Sequence, residues 1–293
     1  MLGPRVRPSR AAADAVDVLE RETFLLPQPD SDRVQEAIAT PVVDALLSRE
    51  LDPERLAPAL AEAAASRHLQ LYLVREREEE LVERMGAAGD PAVSANPLMV
   101  SWQGASASRA GYFAEPSLAY RAQLGADGSA EVTLRAALRN GAPDGPPSIL
   151  LGDGVGEPVG GFSAYAMAIL PEGARVASVR LDGGRPPVVL RGNLDGHPVL
   201  LALVQTLPGE RRVLEVRYAM PSGSFAPGRF DLGIVPAPAL RPTSVRVEVA
   251  LPPGTAATGL PAGARAEDGG VAWEGAPAEP LRLSLRFGRA ATG

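Results

Sequence analysis

An abrupt change in the density of turn-forming residues near residue 92 constrains the fold of this chain more than any other feature. Residues 1–92 contain 3 Gly and 8 Pro, whereas residues 93–293 contain 28 Gly and 21 Pro. Glycine and proline interrupt helices and favour turns. The first part can therefore hold helices of ordinary length, whereas the second is limited to short elements joined by many turns.

The first part has the apolar spacing of amphipathic helices. Prolines at positions 27 and 29 are expected to end the first helix, and Ser31 is a suitable N-cap for the second. Pro41 predicts a kink or a break in that second helix. The predicted helices are Ala12–Phe24, Asp32–Leu47, Asp52 to about Arg67, and Arg75–Met85, and a short strand is predicted at His68–Val74.

The second part has the two-residue alternation of strands that bury one face. Val245, Val247 and Val249, for example, alternate with Arg246 and Glu248. Asp–Gly pairs, which favour the positive φ of hairpin turns, separate many of these runs. The predicted strands are Leu118–Leu124, Val132–Leu138, Phe162–Leu170, Ala174–Leu181, Val199–Gln205, Val213–Tyr218, Phe230–Val235, Val245–Leu251 and Leu281–Phe287.

A weak internal repeat indicates how these strands are grouped. Residues 170–174 (LPEGA) recur as residues 251–255 (LPPGT), 81 positions later, and the same offset aligns Val132–Leu138 with Val213–Ala219. Units of this size match immunoglobulin-like sandwiches. The sequence thus predicts an α+β protein: a helical segment over 1–92, followed by predominantly antiparallel β-structure in two immunoglobulin-like sandwiches, over 93–206 and 207–293.

The composition excludes several kinds of chemistry. The chain has no Cys and only two His, so thiol nucleophiles, disulfides and His-rich metal sites are not expected. The Gly-rich residues 152–161 lack the Lys–Ser/Thr ending of a phosphate-binding loop and are predicted to be a β–β connection. We therefore predict no enzymatic activity, no cofactor, and no catalytic, cofactor-binding or metal-binding residues.

Charge and hydropathy bear on the partners. A net charge of −6 argues against nucleic acid. Neither a membrane-spanning segment nor a signal peptide is predicted. Arginines at outward strand positions either bind an anionic glycopolymer or keep the strand faces soluble; they are Arg135, Arg139, Arg212, Arg217, Arg282 and Arg286.

The order of several motifs resembles the C-terminal half of the domain-of-unknown-function family 4012. The resemblance runs over roughly residues 10–290 and includes residues 13–19 (ADAVDVL), 67–72 (RHLQLY), 85–89 (MGAAG), 112–113 (YF), 139–140 (RN), 170–174 (LPEGA) and 216–218 (VRY). At Gln103–Phe113 the chain lacks the Asn-rich stretch usual in that family. The positions singled out by the resemblance, without an assigned role, are His68, Tyr72, Arg109, Tyr112, Tyr120, Asn140 and Tyr218.

The resemblance implies a bacterial, often actinobacterial, membrane-anchored surface protein, so an extracytoplasmic location is expected; a cytoplasmic one is expected if Met1 is the native start. Three hypotheses for the function follow. The chain is a non-catalytic scaffold, adhesion or binding module of the cell envelope, whose partner is an envelope polysaccharide or another surface protein. Alternatively, it is the accessory region of an enzyme that assembles envelope glycopolymers, or a soluble remnant without activity.

Overall fold

The computed structural model describes residues 17–47, 53–89 and 95–290. A π-helical turn at Val18–Glu22 and a 3-10 turn at Thr23–Leu25 occupy the described part of the first predicted helix. Residues 12–16 of that prediction lie outside the described residues. The hydroxyl of Thr23 donates to the carbonyl of Leu19 at 3.0 Å, and a local bond of this kind competes with regular α-helical bonding.

Three α-helices follow: α1 (Gln28–Leu47), α2 (Pro53–Ala65) and α3 (Glu76–Arg84). Helix α1 begins four residues before the predicted Asp32, because a proline such as Pro29 is tolerated in the first turn, where its missing N–H needs no partner. The helix also continues through Pro41, so of the predicted kink or break the break does not occur. Among the described residues, no helix combines the length and the apolar character needed to span a membrane.

The strand predicted at His68–Val74 is wrong. This segment contains no strand; the amide of Leu71 donates to the carbonyl of Ala87, which is not part of a strand either. The guanidinium of Arg67 donates to the carbonyl of Gly89 at 2.7 Å, so a side-chain bond closes this part of the chain. Alternation alone cannot make a strand, because a strand needs a partner for its backbone groups.

The second part of the chain forms two seven-stranded sheets. The strands are β1 (Pro97–Gly104), β2 (Ala114–Leu124), β3 (Ala130–Asn140), β4 (Phe162–Ile169), β5 (Arg175–Leu181), β6 (Val189–Leu194), β7 (His197–Thr206), β8 (Arg211–Met220), β9 (Arg229–Ile234), β10 (Ser244–Ala250), β11 (Thr255–Gly259), β12 (Arg265–Glu267), β13 (Gly270–Gly275) and β14 (Leu281–Arg289). Sheet 1 has the strand order β11-β14-β9-β1-β4-β7-β6, and sheet 2 has the order β12-β13-β10-β2-β3-β8-β5.

All nine strands predicted in the second part are confirmed, and the α+β class holds, with mixed sheets rather than purely antiparallel ones. The two parallel pairs are β1 with β9 and β2 with β10. The strands that the sequence did not predict are β1, β6, β11, β12 and β13. Two of them, β11 and β12, are sheet edges of five and three residues, too short for a clear alternation.

The strand order contains an internal duplication. The first repeat comprises strands β3 to β8 and the second comprises strands β9 to β14. In the first repeat, β8 pairs with both β3 and β5, and β7 pairs with both β4 and β6, all antiparallel. In β9–β14, strand β14 pairs with β9 and β11, and β13 with β10 and β12, again all antiparallel. Corresponding strands lie in opposite sheets. The 81-residue offset therefore relates β4 to β10 correctly, whereas β3 corresponds to β9 and not to β8 as the offset suggested.

Because each repeat contributes strands to both sheets, the prediction of two separate sandwiches divided at residue 207 is wrong. Each sheet contains strands from 93–206 and from 207–293, and one core cluster runs from Leu98 to Leu285. The central strands β1 and β2 each pair with one strand from either unit. The two repeats therefore form a single sandwich, with more strands than the seven to nine of an immunoglobulin domain.

Asp–Gly pairs form hairpin turns at strand ends, as the sequence predicted. Asp182 and Asp195 both have φ of 48°, and each is followed by a glycine with positive φ, as a two-residue hairpin turn requires. At the β2–β3 turn, the hydroxyls of Ser129 and Ser222 donate to the carboxylate of Asp127. These donors lower the pKa of Asp127 to about 2. The same carboxylate thus ties the β2–β3 turn to the turn after β8.

Candidate functional site

Two of the seven positions singled out by the resemblance lie on the surface between α2 and α3. The ring Nδ1 of His68 is 3.1 Å from the hydroxyl of Ser66, and Tyr72 is 81% exposed. Among the described residues, neither of them makes a hydrogen bond or an ion pair with the other five positions. They do not contribute to a common site with those residues.

Tyr120 and Tyr218 come together in the core. They project from β2 and β8, on either side of β3, and each is only 1% exposed. Burial raises the pKa of Tyr120 to about 12. Burial likewise raises the pKa of Tyr218 well above its ordinary value. Both tyrosines are therefore neutral structural groups of the core, on the inner face of sheet 2.

Asn140, at the end of β3, holds the long β3–β4 loop in place. Its side-chain amide donates to the carbonyls of Gly160 at 2.8 Å and Thr206 at 3.4 Å, and its side-chain oxygen accepts from the amide of Ala142 at 2.9 Å. The side chain is 1% exposed. One residue thus fixes both ends of the loop over residues 141–161, which includes the Gly-rich stretch predicted as a β–β connection.

The last two positions, Arg109 and Tyr112, lie on the β1–β2 connection and contact the turn at 17–25. Tyr112 donates a hydrogen bond to Asp17, which raises the pKa of the tyrosine. The guanidinium of Arg109 lies 4.3 Å from the ring centre of Phe24 and 3.7 Å from a carboxylate oxygen of Glu20. The segment 105–113 is therefore held against the turn at 17–25 by the hydrogen bond from Tyr112 to Asp17 and by the contacts of the Arg109 guanidinium with Phe24 and Glu20.

Two clefts flank this segment and share the wall at Ser106–Ser108. One, with a volume of about 710 Å³, is lined by Trp102, Arg109, Tyr112 and Arg241; we call it the arginine cleft. The other, of about 750 Å³, lies between the β3–β4 loop and strands β4 and β7; we call it the serine cleft. Both volumes fall in the range of about 300–1,000 Å³ that is usual for ligand sites.

Hydrogen bonds organise the polar floor of the serine cleft. The buried hydroxyl of Ser163 donates to the carboxylate of Glu157 and accepts from the side-chain amide of Gln205 at 3.2 Å. The amide N–H of Ser163 donates to the hydroxyl of Ser106 at 2.7 Å. Tyr165 and Leu203, which face each other on β4 and β7, complete the floor. No arginine or histidine lines the cleft within the described part of the chain, whereas Asp153 and Glu157 do.

The serine cleft lies at one end of an outward sheet surface that carries no charge. Over residues 99–103 of β1, 163–167 of β4 and 201–205 of β7, the inward side chains pack in the core and the outward ones are uncharged. We call this surface the uncharged half-face. Its residues are Met99, Ser101, Gln103, Ser163, Tyr165, Met167, Leu201, Leu203 and Gln205.

The duplicated unit provides an internal comparison for this surface. Tyr165 and Met167 on β4 correspond to Arg246 and Glu248 on β10. The cross-strand pair of Tyr165 with Leu203 is replaced by Arg246 with Glu274. Arg246 and Arg121 both bond the carboxylate of Glu248 at 2.6 Å. The equivalent half of sheet 2 therefore has the ion-paired exterior of an ordinary solvated surface.

The predicted arginine faces, on β3 and β8 of sheet 2 and on β14 of sheet 1, are also largely ion-paired. Five of the six arginines lie close to a carboxylate: Arg135 and Arg217 to Glu215, Arg139 to Glu115, Arg212 to Asp182 and Arg282 to Asp231. Exposed pairs of this kind contribute about 0–1 kcal/mol each and leave little free positive charge for an anionic polymer. Within residues 17–47, 53–89 and 95–290, no three acidic or histidine side chains cluster as metal ligands.

The chain matches no protein-family model. It also matches none of the curated proteins. Among solved structures, it is similar to a protein from Legionella pneumophila designated nutrient binding, with 12% identity, 65% of this chain and 70% of that chain covered, and a TM-score of 0.41. Yeast LTA4 hydrolase gives 7% identity, coverage of 59% and 29%, and a TM-score of 0.33.

An M1 zinc metallopeptidase from Deinococcus radiodurans gives 18% identity, coverage of 60% and 42%, and a TM-score of 0.30. The chain therefore spans less than half of either peptidase. At these TM-scores the similarities carry no argument about function, which must be derived from the clefts themselves.

Sequence reasoning singled out Arg109 and Tyr112 but missed the serine cleft. Ser163 and Gln205 are 42 positions apart, and Glu157 lies in a loop without a recognisable motif. One signal was present. The 81-residue offset aligns the uncharged Tyr165 and Met167 with the charged Arg246 and Glu248, so the two repeats already differ on their outward faces in the sequence.

Proposed function

We propose that this chain is a non-catalytic binding module of the bacterial cell envelope, and that it holds its ligand on the uncharged half-face and in the serine cleft. The observation that supports this proposal is the difference between the two equivalent half-faces. One has paired Arg and carboxylate side chains, whereas the other has Tyr, Met and Leu at the same positions of the repeat.

Solvation alone does not account for this difference. Outward positions on a solvated sheet are ordinarily polar or charged, and a contiguous apolar patch marks a site of interaction. The half of sheet 2 that carries Arg246 and Glu248 shows that the fold accepts charges at these positions. Tyr165 and Met167 therefore have a role other than keeping the sheet soluble, and contact with a ligand is the simplest such role.

The chemistry of the serine cleft favours binding over catalysis. Ser163 is bonded to a carboxylate, but activation of a serine nucleophile needs a base such as histidine. His197, at the other end of β7 from Gln205, is about 26 Å away along the strand. The location in the envelope rests on the resemblance of the motifs in 10–290 to family 4012.

Co-sedimentation of the purified full chain with isolated envelopes of the source organism tests this proposal. The variant Tyr165→Arg/Leu203→Glu transfers the Arg246–Glu274 pair onto the uncharged half-face. We expect it to lower the bound fraction about tenfold or more, because charged groups would have to be desolvated against the ligand. The control Arg246→Gln/Glu274→Gln changes the equivalent pair and should bind like the wild type.

Two results would contradict the proposal. One is a wild-type chain that stays in the supernatant at every envelope concentration. The other is an equal loss of binding in the graft variant and its control, which would show that the two half-faces are not functionally different. Thermal unfolding of each variant provides the check that the sandwich is intact.

A further inference from the structure

We infer that the serine cleft binds a neutral glycan chain, donor-rich and without formal charge. This inference rests on the proposed function and deepens it, since it specifies what the cleft takes. It is carried by three properties of the cleft: the sign of its charge, the hydrogen-bonding capacity that its polar floor retains, and its aromatic surface.

The charge of the lining excludes anionic ligands. Asp153 and Glu157 line the cleft, and no basic side chain does so among the described residues. A phosphate, sulfate or uronate group would therefore meet negative charge without a compensating cation.

The polar floor offers acceptors. One oxygen of Glu157 accepts from Ser163, and the Gln205 amide nitrogen donates to the same hydroxyl. The second carboxylate oxygen of Glu157 and the amide oxygen of Gln205 accept no hydrogen bond from the described residues. Acceptors held in place by existing bonds match a ligand with many O–H donors, because each such donor can bond an oxygen that no described residue occupies.

The floor also has a surface on which a sugar ring can lie. Tyr165 is partly exposed beside Leu203 and lines the cleft, and the C–H groups on one face of a pyranose pack favourably against an aromatic ring. At the mouth, Ile149 and Val155 on the β3–β4 loop are 51% and 82% exposed. An aromatic and apolar floor edged by acceptors is the combination that a neutral sugar requires.

The salt dependence of binding distinguishes a neutral glycan from a cationic ligand. A lysine-rich peptide or a polyamine would also suit Asp153 and Glu157, but its binding would weaken steeply with ionic strength. A neutral glycan bound through hydrogen bonds and ring packing would show little dependence on salt. This difference separates the two ligand chemistries even while the natural ligand is unidentified.

Saturation-transfer NMR and calorimetry on the full chain test the inference. The neutral probes are maltohexaose, mannohexaose and chitohexaose; hexalysine and hexagalacturonate are the cationic and anionic probes. We expect at least one neutral hexasaccharide to bind with a Kd that changes less than about twofold with salt. Tyr165→Ala should raise that Kd about tenfold, and Tyr165→Phe, which keeps the ring, should bind almost as the wild type does. Gln205→Ala should weaken binding by about five- to tenfold through the lost hydrogen bond.

The control is Tyr72→Ala, a tyrosine that is 81% exposed on the segment between α2 and α3, which should leave binding unchanged. Binding of hexalysine or hexagalacturonate without binding of any neutral probe would overturn the inference. Failure of all five probes while the chain still co-sediments with envelopes would refute the glycan and leave the proposed function standing. Failure of both experiments would refute both.

Discussion

Replacement of Asn140 by alanine should remove a large fraction of the stability of the sandwich. The variant leaves the amide of Ala142 and the carbonyl of Gly160 buried and without the partner that the asparagine provides. Each buried polar group left unpaired costs about 1–3 kcal/mol, so the two together should cost about 4 kcal/mol. Total stabilities are about 5–15 kcal/mol, so this loss is readily measured.

Equilibrium unfolding in urea, followed by tryptophan fluorescence, is the appropriate assay, because Trp102 and Trp273 both pack in the single core of the sandwich. The matched control is Asn193→Ala. Asn193 accepts one hydrogen bond, from the amide of Gly196 at 2.9 Å, at an exposed turn, and its loss should cost less than about 1 kcal/mol. An Asn140→Ala variant that loses less than about 1 kcal/mol would refute the claim that this side chain anchors the β3–β4 loop.

Three further predictions concern other parts of the molecule. Because the pKa of Asp127 is lower in the folded than in the unfolded chain, its stabilising effect is present above about pH 4 and is lost as the pH falls through about 2. Urea midpoints of Asp127→Asn and wild type should differ near neutral pH and converge as the pH falls through about 2. A difference that stays constant from neutral pH across this range would contradict the assignment. Tyr112→Phe should speed tryptic cleavage after Arg21 by detaching the N-terminal turn, whereas Tyr72→Phe should leave the rate unchanged; equal rates in all three proteins would argue against the bond to Asp17. Expressed separately, residues 93–206 and 207–293 should show no cooperative unfolding by circular dichroism, since each lacks half of both sheets; an independent transition in either would restore the two-domain interpretation.

The strands could be predicted because their signal is local. Val245, Val247 and Val249 alternate with charged residues, and the side chains predicted to be inward are buried. The prediction failed where alternation had no partner, as at His68–Val74, and where strands were short, as at β12. In both cases the pattern along the chain does not contain the information on pairing that decides the outcome.

The arrangement of the strands could not be predicted for the same reason. The repeat at Leu170 and Leu251 was real, but two repeats can form two sandwiches or exchange strands within one. The sequence pattern is the same in either case, because each strand has one buried and one outward face in both. Only the pairings of β1 with β4 and β9, and of β2 with β3 and β10, distinguish them.

The candidate site was partly predictable. Arg109 and Tyr112 lie beside the arginine cleft, and Asn140 anchors the loop that forms a wall of the serine cleft, although none of the three had an assigned role. Ser163, Tyr165 and Gln205 carry no motif, and they acquire meaning only when β4 and β7 lie side by side. The resemblance to family 4012, and with it the location in the envelope, remains a prediction.

Hydrogen–deuterium exchange of the full chain, with and without saturating envelope material or the hexasaccharide that binds best, tests the central claim most directly. We expect slower exchange in β4, β7 and the loop 141–161, with no change in β10 and β13, which occupy the equivalent positions of the second repeat. Protection that is equal in both sets of strands, or confined to β10 and β13, would contradict the claim that the uncharged half-face is the binding surface.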